Sequence, residues 1–308
     1  MDTSNHFSPE APTIRPPSEW RSILVRVTRG CQWNRCRFCG IYPHLGVNKF
    51  SIRTTDDIKR DIDYHYARRP NADSVFLGDA DPLQAGLSQF TEITRYIHSL
   101  FKPARLTCYA RSSTLDRLGE KNIKKLGQTG LTRIHIGLES GNKEILQFQR
   151  KGQSPAMVKR ISCWLKRANI EISFYVLLGL GGQDHWQEHI VSTADIINDT
   201  IPNFIRLRRL WLYNDATGIA GTEPPLMACV RDKTFTPQTP EGTVLELQLL
   251  LDQLDPIDSY LTCDHSNNYV RVSGNLQEDI EQMRTEVDIF LALPEKERLA
   301  YYHRQAII

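Results

Sequence analysis

The 308-residue sequence contains no apolar run that approaches the roughly 20 residues needed to cross a bilayer as a helix. It has no excess of charge of one sign, because 38 basic residues against 36 acidic ones leave a net charge of +2. It lacks the spread of cysteines typical of a secreted, disulfide-linked domain, and its polar, proline-containing N-terminus is not typical of a signal peptide. These absences predict a cytoplasmic protein without a membrane partner, and nothing in the charge favours nucleic acid.

Three of the seven cysteines are concentrated in one short segment, RGCQWNRCRFC, as Cys31, Cys36 and Cys39. Three thiolates presented from one loop suit iron–sulfur or zinc chemistry better than a packing role. A tetrahedral zinc would need a fourth ligand, such as Cys108 or a histidine, whereas a four-iron cluster on three cysteines keeps one iron open. The spacing C-x4-C-x2-C therefore predicts a metal centre.

Downstream of this segment, short apolar strands alternate with longer helical patterns, which is typical of β/α units around a parallel sheet. Strands are predicted near 23–29, 74–79, 105–110, 132–138, 171–178 and 204–211. Helices are predicted near 54–68, 87–101, 114–126, 154–168 and 184–198, and two more near 241–254 and 276–293. The pattern predicts an α/β fold: a partial (β/α)6 TIM-like barrel over 21–215, after a flexible lead-in over 1–20. A loop and helical extension over 216–308 is expected to cover the barrel.

Several predicted strands alternate apolar and polar side chains. In the fourth strand, Ile134 and Ile136 share one face while His135 and Glu139 share the other. Because burial of unpaired polar groups is costly, these polar faces predict a binding cavity inside the barrel.

The cysteine loop resembles the cluster loop of the radical SAM superfamily, although the usual spacing is C-x3-C-x2-C and the loop here is similar to a branch with one more residue. The resemblance implies that Cys31, Cys36 and Cys39 hold a [4Fe-4S] cluster whose open iron binds S-adenosylmethionine (SAM). It implies an enzyme that reductively cleaves SAM to a 5′-deoxyadenosyl radical and abstracts hydrogen from a substrate. A reducing protein such as flavodoxin or ferredoxin would be a partner. Arginines of the loop, Arg29, Arg35 and Arg37, are expected to lower the pKa of the thiols.

The resemblance also assigns residues to SAM: Phe38, Tyr42, Gly78, Asp79, Ala80, Arg111, Glu139, Ser140, Leu178, Gly179 and Arg208. GDAD after the second strand is similar to the segment that contacts the methionyl ammonium. GLESG over 137–141 resembles a segment of enzymes related to oxygen-independent coproporphyrinogen dehydrogenases, in which the glutamate reaches a ribose hydroxyl or the methionyl group. VLLGLGG over 176–182 is similar to the adenine-side segment, and the two arginines are candidates for the SAM carboxylate.

Each of these assignments has a structural alternative. GDAD can be an ordinary strand-end turn, Ser140 or Asn142 can cap the next helix, and Arg111 or Arg208 can be a solvated surface arginine.

A dense polar segment, CDHSNNY over 263–269, lies between the two C-terminal helical patterns. It offers a thiol, an imidazole and a phenol, groups able to donate a hydrogen atom or move a proton. We expect Cys263 or His265 to face the cavity near the cluster as catalytic residues, with helix capping as the alternative.

The substrate is predicted to be a small molecule. Twenty residues before the barrel are too few for the N-terminal domain of the methylthiotransferase and cobalamin-dependent branches. Two alternatives stay open: a radical SAM enzyme that modifies RNA or a peptide, and a non-catalytic, zinc-stabilised binding protein.

Overall fold

The computed structural model describes residues 7–12, 14–47, 49–102, 104–212 and 223–305. Its strands are Ile23–Arg26 (β1), Thr28–Arg29 (β2), Ser51–Ile52 (β3), Ser74–Gly78 (β4), Arg105–Tyr109 (β5), Leu131–Glu139 (β6), Glu171–Leu178 (β7), Phe204–Arg209 (β8), Tyr260–Thr262 (β9) and Ser273–Asn275 (β10). Its α-helices are Ile41–His44 (α1), Thr55–Arg68 (α2), Leu87–Leu100 (α3), Ser112–Gly127 (α4), Lys143–Phe148 (α5), Pro155–Arg167 (α6), Trp186–Thr200 (α7), Leu226–Arg231 (α8), Pro240–Gln253 (α9), Ile280–Ala292 (α10) and Glu295–Gln305 (α11).

Eight strands form one sheet in the order β1-β4-β5-β6-β7-β8-β9-β10. All neighbours from β1 to β9 are parallel, and β10 is antiparallel to β9. Within the described residues β1 and β10 are the two edges of the sheet, so the barrel is open. The predicted α/β fold is confirmed, and the six predicted strands are present as β1 and β4 to β8.

The helices begin where local sequence signals place them. Thr54 caps α2 by accepting a hydrogen bond from the Asp57 amide, and Ser154 caps α6 in the same way with Pro155 in the first helical position. The outward faces of the strands pack on these helices in a fully buried core that includes Ile134 and Ile136. The polar residues of the same strands therefore point into the barrel.

The floor of the barrel is closed by a residue from the lead-in. Glu19, in a 3-10 turn, is fully buried, and its carboxylate lies 3.3 Å from His135 Nε2 and 3.0 Å from Arg105 Nη2. Burial lowers the pKa of His135 to about 4, although Glu19 opposes this. Nearer the barrel mouth, Glu10 forms ion pairs with Arg26 and with other arginines. Within the lead-in that was predicted to be flexible, Glu10 and Glu19 are thus held by ion pairs, while residues 1–6 and 13 lie outside the described residues.

The chain after residue 222 joins the sheet at its β8 edge. β9 pairs with β8 in parallel and β10 returns beside β9, so the polar segment 263–269 connects two short strands rather than two helices. The helix α9 packs on α7, in the outer layer. Within the predicted loop and helical extension over 216–308, residues Leu226–Arg231 form the helix α8, and residues 213–222 lie outside the described residues.

Candidate active site

The three clustered cysteines line a cavity of about 460 Å³ at the carboxyl ends of the parallel strands. The structure places these residues of the predicted site around it: Cys31, Cys36, Cys39, Phe38, Tyr42, Ala80, Arg111 and Glu139. Leu178 and Gly179 line an adjoining cavity instead. Among the described residues, the remaining predicted ones line neither cavity: Gly78, Asp79, Ser140, Arg208, Cys263 and His265.

The cysteine loop is anchored on two sides. On one side Asp79 is fully buried, and its Oδ2 accepts hydrogen bonds from Arg26 Nη2 at 2.7 Å and from the Gly30 amide at 3.4 Å. On the other side Trp33 Nε1 donates to the Arg150 carbonyl at 2.8 Å. The Asp79 carboxylate is thus engaged by the loop itself.

Gly78 leaves space for the N-terminal segment, which packs directly against it. A Cβ atom at this position would lie 2.7 Å from Cβ of Pro12, so only glycine lets the N-terminal segment cross the end of β4.

The pKa values of two of the thiols are raised, whereas the loop arginines were expected to lower them. Burial raises the pKa of Cys36, and it raises the pKa of Cys39 to about 12. The loop arginines do not offset this, because Arg29 pairs with Glu10 while Arg35 and Arg37 lie over the rings of Trp33 and Phe148. The cations that favour the Cys36 thiolate are Lys151 and Arg111.

Lys151 is the partner of Glu139. Its Nζ lies 2.7 Å from Glu139 Oε1, and both side chains are about one-tenth exposed. Burial lowers the pKa of Lys151, but the Glu139 carboxylate and the Cys36 sulfur outweigh this and the net shift is upward. Lys151 was not predicted, because nothing in its neighbourhood in the sequence, QRKGQ, distinguishes it from a surface lysine. The polar pair forms one wall of the cavity, directly beside Cys36.

Ser140 points away from the cavity. Its hydroxyl lies 2.8 Å from Nδ1 of His189 on α7, and that ring is fully buried. Asn142 caps α5 by accepting from the Ile145 amide, as the structural alternative proposed. Neither Ser140 nor His189 therefore faces a ligand in the cysteine cavity.

The two predicted carboxylate-binding arginines are separated. Arg111, beside Cys31 and Cys36, donates to the Lys151 carbonyl at 2.7 Å and lies over the Trp33 ring. Arg208 lies behind Tyr175, with its guanidinium 5.3 Å from the ring centroid. Only Arg111 is next to the cysteines.

Buried phenols and rings form the cavity floor. Tyr109 packs against His135 and Tyr175, with ring centroids 5.8 Å and 6.3 Å away. Among the described residues the buried Tyr42 hydroxyl has no hydrogen-bond partner, and burial raises the pKa of this phenol. An unsatisfied buried hydroxyl at a cavity wall is a place where a ligand can supply the missing bond.

The adjoining cavity has a volume of about 310 Å³ and shares Arg209, Leu210 and Trp211 with the first. Its Leu178–Gly179 wall is fixed by a residue of α9, because the Gly179 amide donates to Glu246 Oε2 at 2.5 Å. Glu246 is fully buried and also accepts from Gln238 Nε2 at 3.1 Å. Burial raises the pKa of Glu246 to about 7 against these two hydrogen bonds.

Residues 25–194, more than half of the chain, match the family model of the radical SAM superfamily. The chain belongs to the radical SAM superfamily. Members of this family are enzymes that use a [4Fe-4S] cluster and SAM, and this protein is therefore an enzyme. Radical SAM enzymes also need a reductant.

A solved structure similar to this radical SAM enzyme shares its fold. TsrM from Kitasatospora setae, described as a radical SAM methyltransferase with tryptophan and a SAM analogue bound, gives a TM-score of 0.54 at 15% identity. That match covers 75% of this chain and 52% of TsrM. Coproporphyrinogen III oxidase (HemN) from Escherichia coli gives a TM-score of 0.49 at 15% identity, over 74% of this chain and 53% of that one.

Among curated proteins, a tRNA uridine(34) acetyltransferase from Methanocaldococcus jannaschii is 29% identical over 69 residues. The match spans 22% of this chain and 13% of that protein. The chain therefore covers about half of the two solved structures and a small part of this curated relative.

The residues of the cysteine cavity fit the family's cofactors. Three soft thiols face one space, with Lys151 and Arg111 beside them to offset the negative charge of a thiolate-bound cluster. No set of three or more His, Cys, Asp or Glu side chains in the described ranges is placed to hold a single metal ion. A four-iron cluster does not need such a set, because each cysteine binds a different iron.

The prediction that Cys263 or His265 faces the cluster cavity is wrong. Cys263 is buried in the apolar core and its Sγ contacts the Val270 carbonyl at 3.4 Å. The His265 ring lies 2.5 Å from Asn267 Oδ1, which places it in the turn between β9 and β10. The geometry therefore does not support a catalytic role for Cys263 or His265.

No helix within the described residues is long and apolar enough to cross a membrane.

Replacing Glu246 by Gln should change how stability depends on pH. Since the folded-state pKa of Glu246 is about 7 and its ordinary value is 4.5, the folded protein binds the extra proton and this contribution to stability is lost as pH rises through 7. The unfolding free energy of Glu246→Gln minus that of wild type should therefore rise by on the order of 2 kcal/mol from about pH 5 to pH 8, because the neutral amide does not titrate. Urea unfolding at both pH values measures this, and a difference that is the same at both would contradict it.

Proposed function

We propose that this enzyme reductively cleaves SAM at a [4Fe-4S] cluster held by Cys31, Cys36 and Cys39, and abstracts hydrogen from a small-molecule substrate. The observation that carries the proposal is the convergence of three thiols on one cavity at the carboxyl ends of the strands. When bound, the cluster would supply one electron that splits SAM into methionine and a 5′-deoxyadenosyl radical. The remaining walls of the cavity must hold SAM, seat the substrate and exclude water.

The cysteine wall also carries groups suited to the methionyl end of SAM. Arg111 presents a guanidinium beside Cys31 and Cys36, which matches a carboxylate in a two-pronged hydrogen bond. The Tyr42 hydroxyl adds a buried donor that no group in the described ranges accepts from. Glu139, whose carboxylate is held in place by Lys151, retains acceptor capacity for a hydroxyl or ammonium group.

The size and lining of the cavities support a substrate of metabolite size. The two adjoining spaces of about 460 and 310 Å³ fall in the ordinary range for small-ligand pockets. Aromatic side chains, including Phe38, Tyr109 and Trp211, line the space and keep water from a reactive intermediate. A small-molecule fraction of cell extract should therefore raise the rate of 5′-deoxyadenosine formation above that with SAM alone. Stimulation only by the fraction that holds RNA and protein would favour the macromolecular alternative.

The surface beside the cysteines suits an acidic reducing protein. Between Glu19 and Asp56 the sequence contains no acidic residue, and Arg35 and Arg37 form no ion pair within the part of the chain described. Arg35 is exposed at the loop surface. Positive charge beside the cysteines speeds association with an acidic protein, and salt screens this attraction. Flavodoxin and ferredoxin are the proposed donors.

Arg35→Glu should slow SAM cleavage driven by flavodoxin and its reductase by about tenfold at low salt, because it turns attraction into repulsion. Cleavage driven by dithionite, a small reductant, should change little. Lys121→Glu on α4, an exposed charge reversal in the same direction, serves as control. Equal slowing with both reductants, or by both variants, would contradict a docking role for Arg35.

A further inference from the structure

We infer that the carboxyl end of β8 binds an anionic group of the substrate, a carboxylate or a phosphate, through Arg209. The inference rests on the proposed function, because it concerns the molecule from which that site would abstract hydrogen. The substrate would carry a negative charge and would be recognised at β8.

The strand β8 carries three arginines, Arg206, Arg208 and Arg209, which have little acidic compensation among the described residues. Arg206 is 7% exposed, and its Nε donates to the neutral Ser173 hydroxyl at 3.0 Å. Arg208 has a single ion pair among the described residues, a distant 3.9 Å contact with the largely exposed Asp264. Arg209 donates to the Asn267 carbonyl at 2.7 Å and to the Tyr269 hydroxyl, both neutral. Buried or half-buried cations without counter-charges are costly unless an anion is supplied.

Arg209 is the member of this group that reaches a ligand. It lines both cavities, and its buried Nη2 has no hydrogen-bond partner within the part of the chain that the structure describes. Burial lowers the pKa of Arg209, and the groups that oppose this shift come from Tyr269, a phenol rather than a carboxylate. A guanidinium with one free edge matches the paired oxygens of a carboxylate or phosphate.

The anion is distinct from the carboxylate of SAM. Arg111, at the end of β5, is the arginine beside Cys31 and Cys36, whereas Arg209 lies at the end of β8, with β6 and β7 between them in the sheet. Neighbouring Trp211, over which the Arg209 guanidinium lies at 5.2 Å, offers an aromatic surface to the rest of the molecule. The β8 wall therefore faces the space left for the substrate.

The test measures binding of benzoate, phenyl phosphate and the neutral benzamide to the reconstituted enzyme with saturating SAM, by equilibrium dialysis under nitrogen. Benzoate or phenyl phosphate should bind about tenfold more tightly than benzamide, because a hydrogen bond between a guanidinium and an anion is stronger than one to a neutral amide. The tighter of the two anions identifies the carboxylate or phosphate source. Arg209→Gln should remove the preference, and Arg95→Gln, an exposed arginine on α3, should keep it.

Three outcomes would overturn the inference. These are benzamide binding as tightly as the anions, Arg209→Gln binding the anions as tightly as wild type, and displacement of the anions by saturating SAM. Displacement would assign the β8 arginines to SAM itself. The 5′-deoxyadenosine assay on wild type, run separately without any probe, shows whether the proposed function itself has failed.

Discussion

Cys36→Ala is expected to remove most of the iron from protein reconstituted under nitrogen and to abolish 5′-deoxyadenosine formation. The loop supplies three thiols to the cavity, and loss of one leaves a cluster with two protein ligands. Wild type should hold about four irons per chain, as one cubane cluster requires. Iron and sulfide analysis, together with the brown absorbance that bleaches in air, measures the loss.

Cys163→Ala provides the matched control, because Cys163 is exposed on α6 and far from the loop in sequence. This variant should retain wild-type iron content and SAM cleavage. A Cys36→Ala protein with the full iron content would show that the cluster is bound elsewhere.

Asp79→Ala should destabilise the iron-free protein by about 3 kcal/mol, since removing one partner of a buried ion pair leaves an uncompensated charge. The value lies at the lower end of the usual range because Arg26 keeps a second partner in Glu10, 2.8 Å away. The Gly30 amide also loses its acceptor, so the cysteine loop should take up cluster less well. Urea unfolding and iron uptake measure the two effects.

Asp79→Asn separates this anchoring role from the SAM contact implied by the family resemblance. The amide preserves the shape but not the charge that holds Arg26. If Asp79 is an anchor, the asparagine variant also loses stability. A variant of unchanged stability and iron content with weaker SAM binding would instead support direct contact with SAM.

The sequence was sufficient for the fold because its strands and helices carry clear local signals. Alternating apolar positions such as Ile134 and Ile136 define the outward face of β6, and the cap at Ser154 begins α6 where the pattern changes. The cysteine spacing and the GLESG segment located the cavity for the same reason, since each is a contiguous motif at a strand end.

Local sequence signals do not predict contacts between side chains that lie far apart in the chain. Lys151 meets Glu139, Glu19 meets His135, and Glu246 meets Gly179 only after the chain has folded. No periodicity in the sequence relates these positions, because their contacts depend on the three-dimensional arrangement of loops. The same limitation explains the error at Cys263: a polar composition was interpreted as catalytic, although the backbone turn between β9 and β10 orients the thiol into the core.

The most direct test of a SAM-cleaving cluster on the three cysteines is product analysis after anaerobic reconstitution. Wild-type protein with SAM and dithionite should form 5′-deoxyadenosine and methionine in equal amounts, and Cys36→Ala should form neither above the level of free dithionite. Reconstituted wild-type protein that holds its full iron content yet yields no 5′-deoxyadenosine would contradict the account.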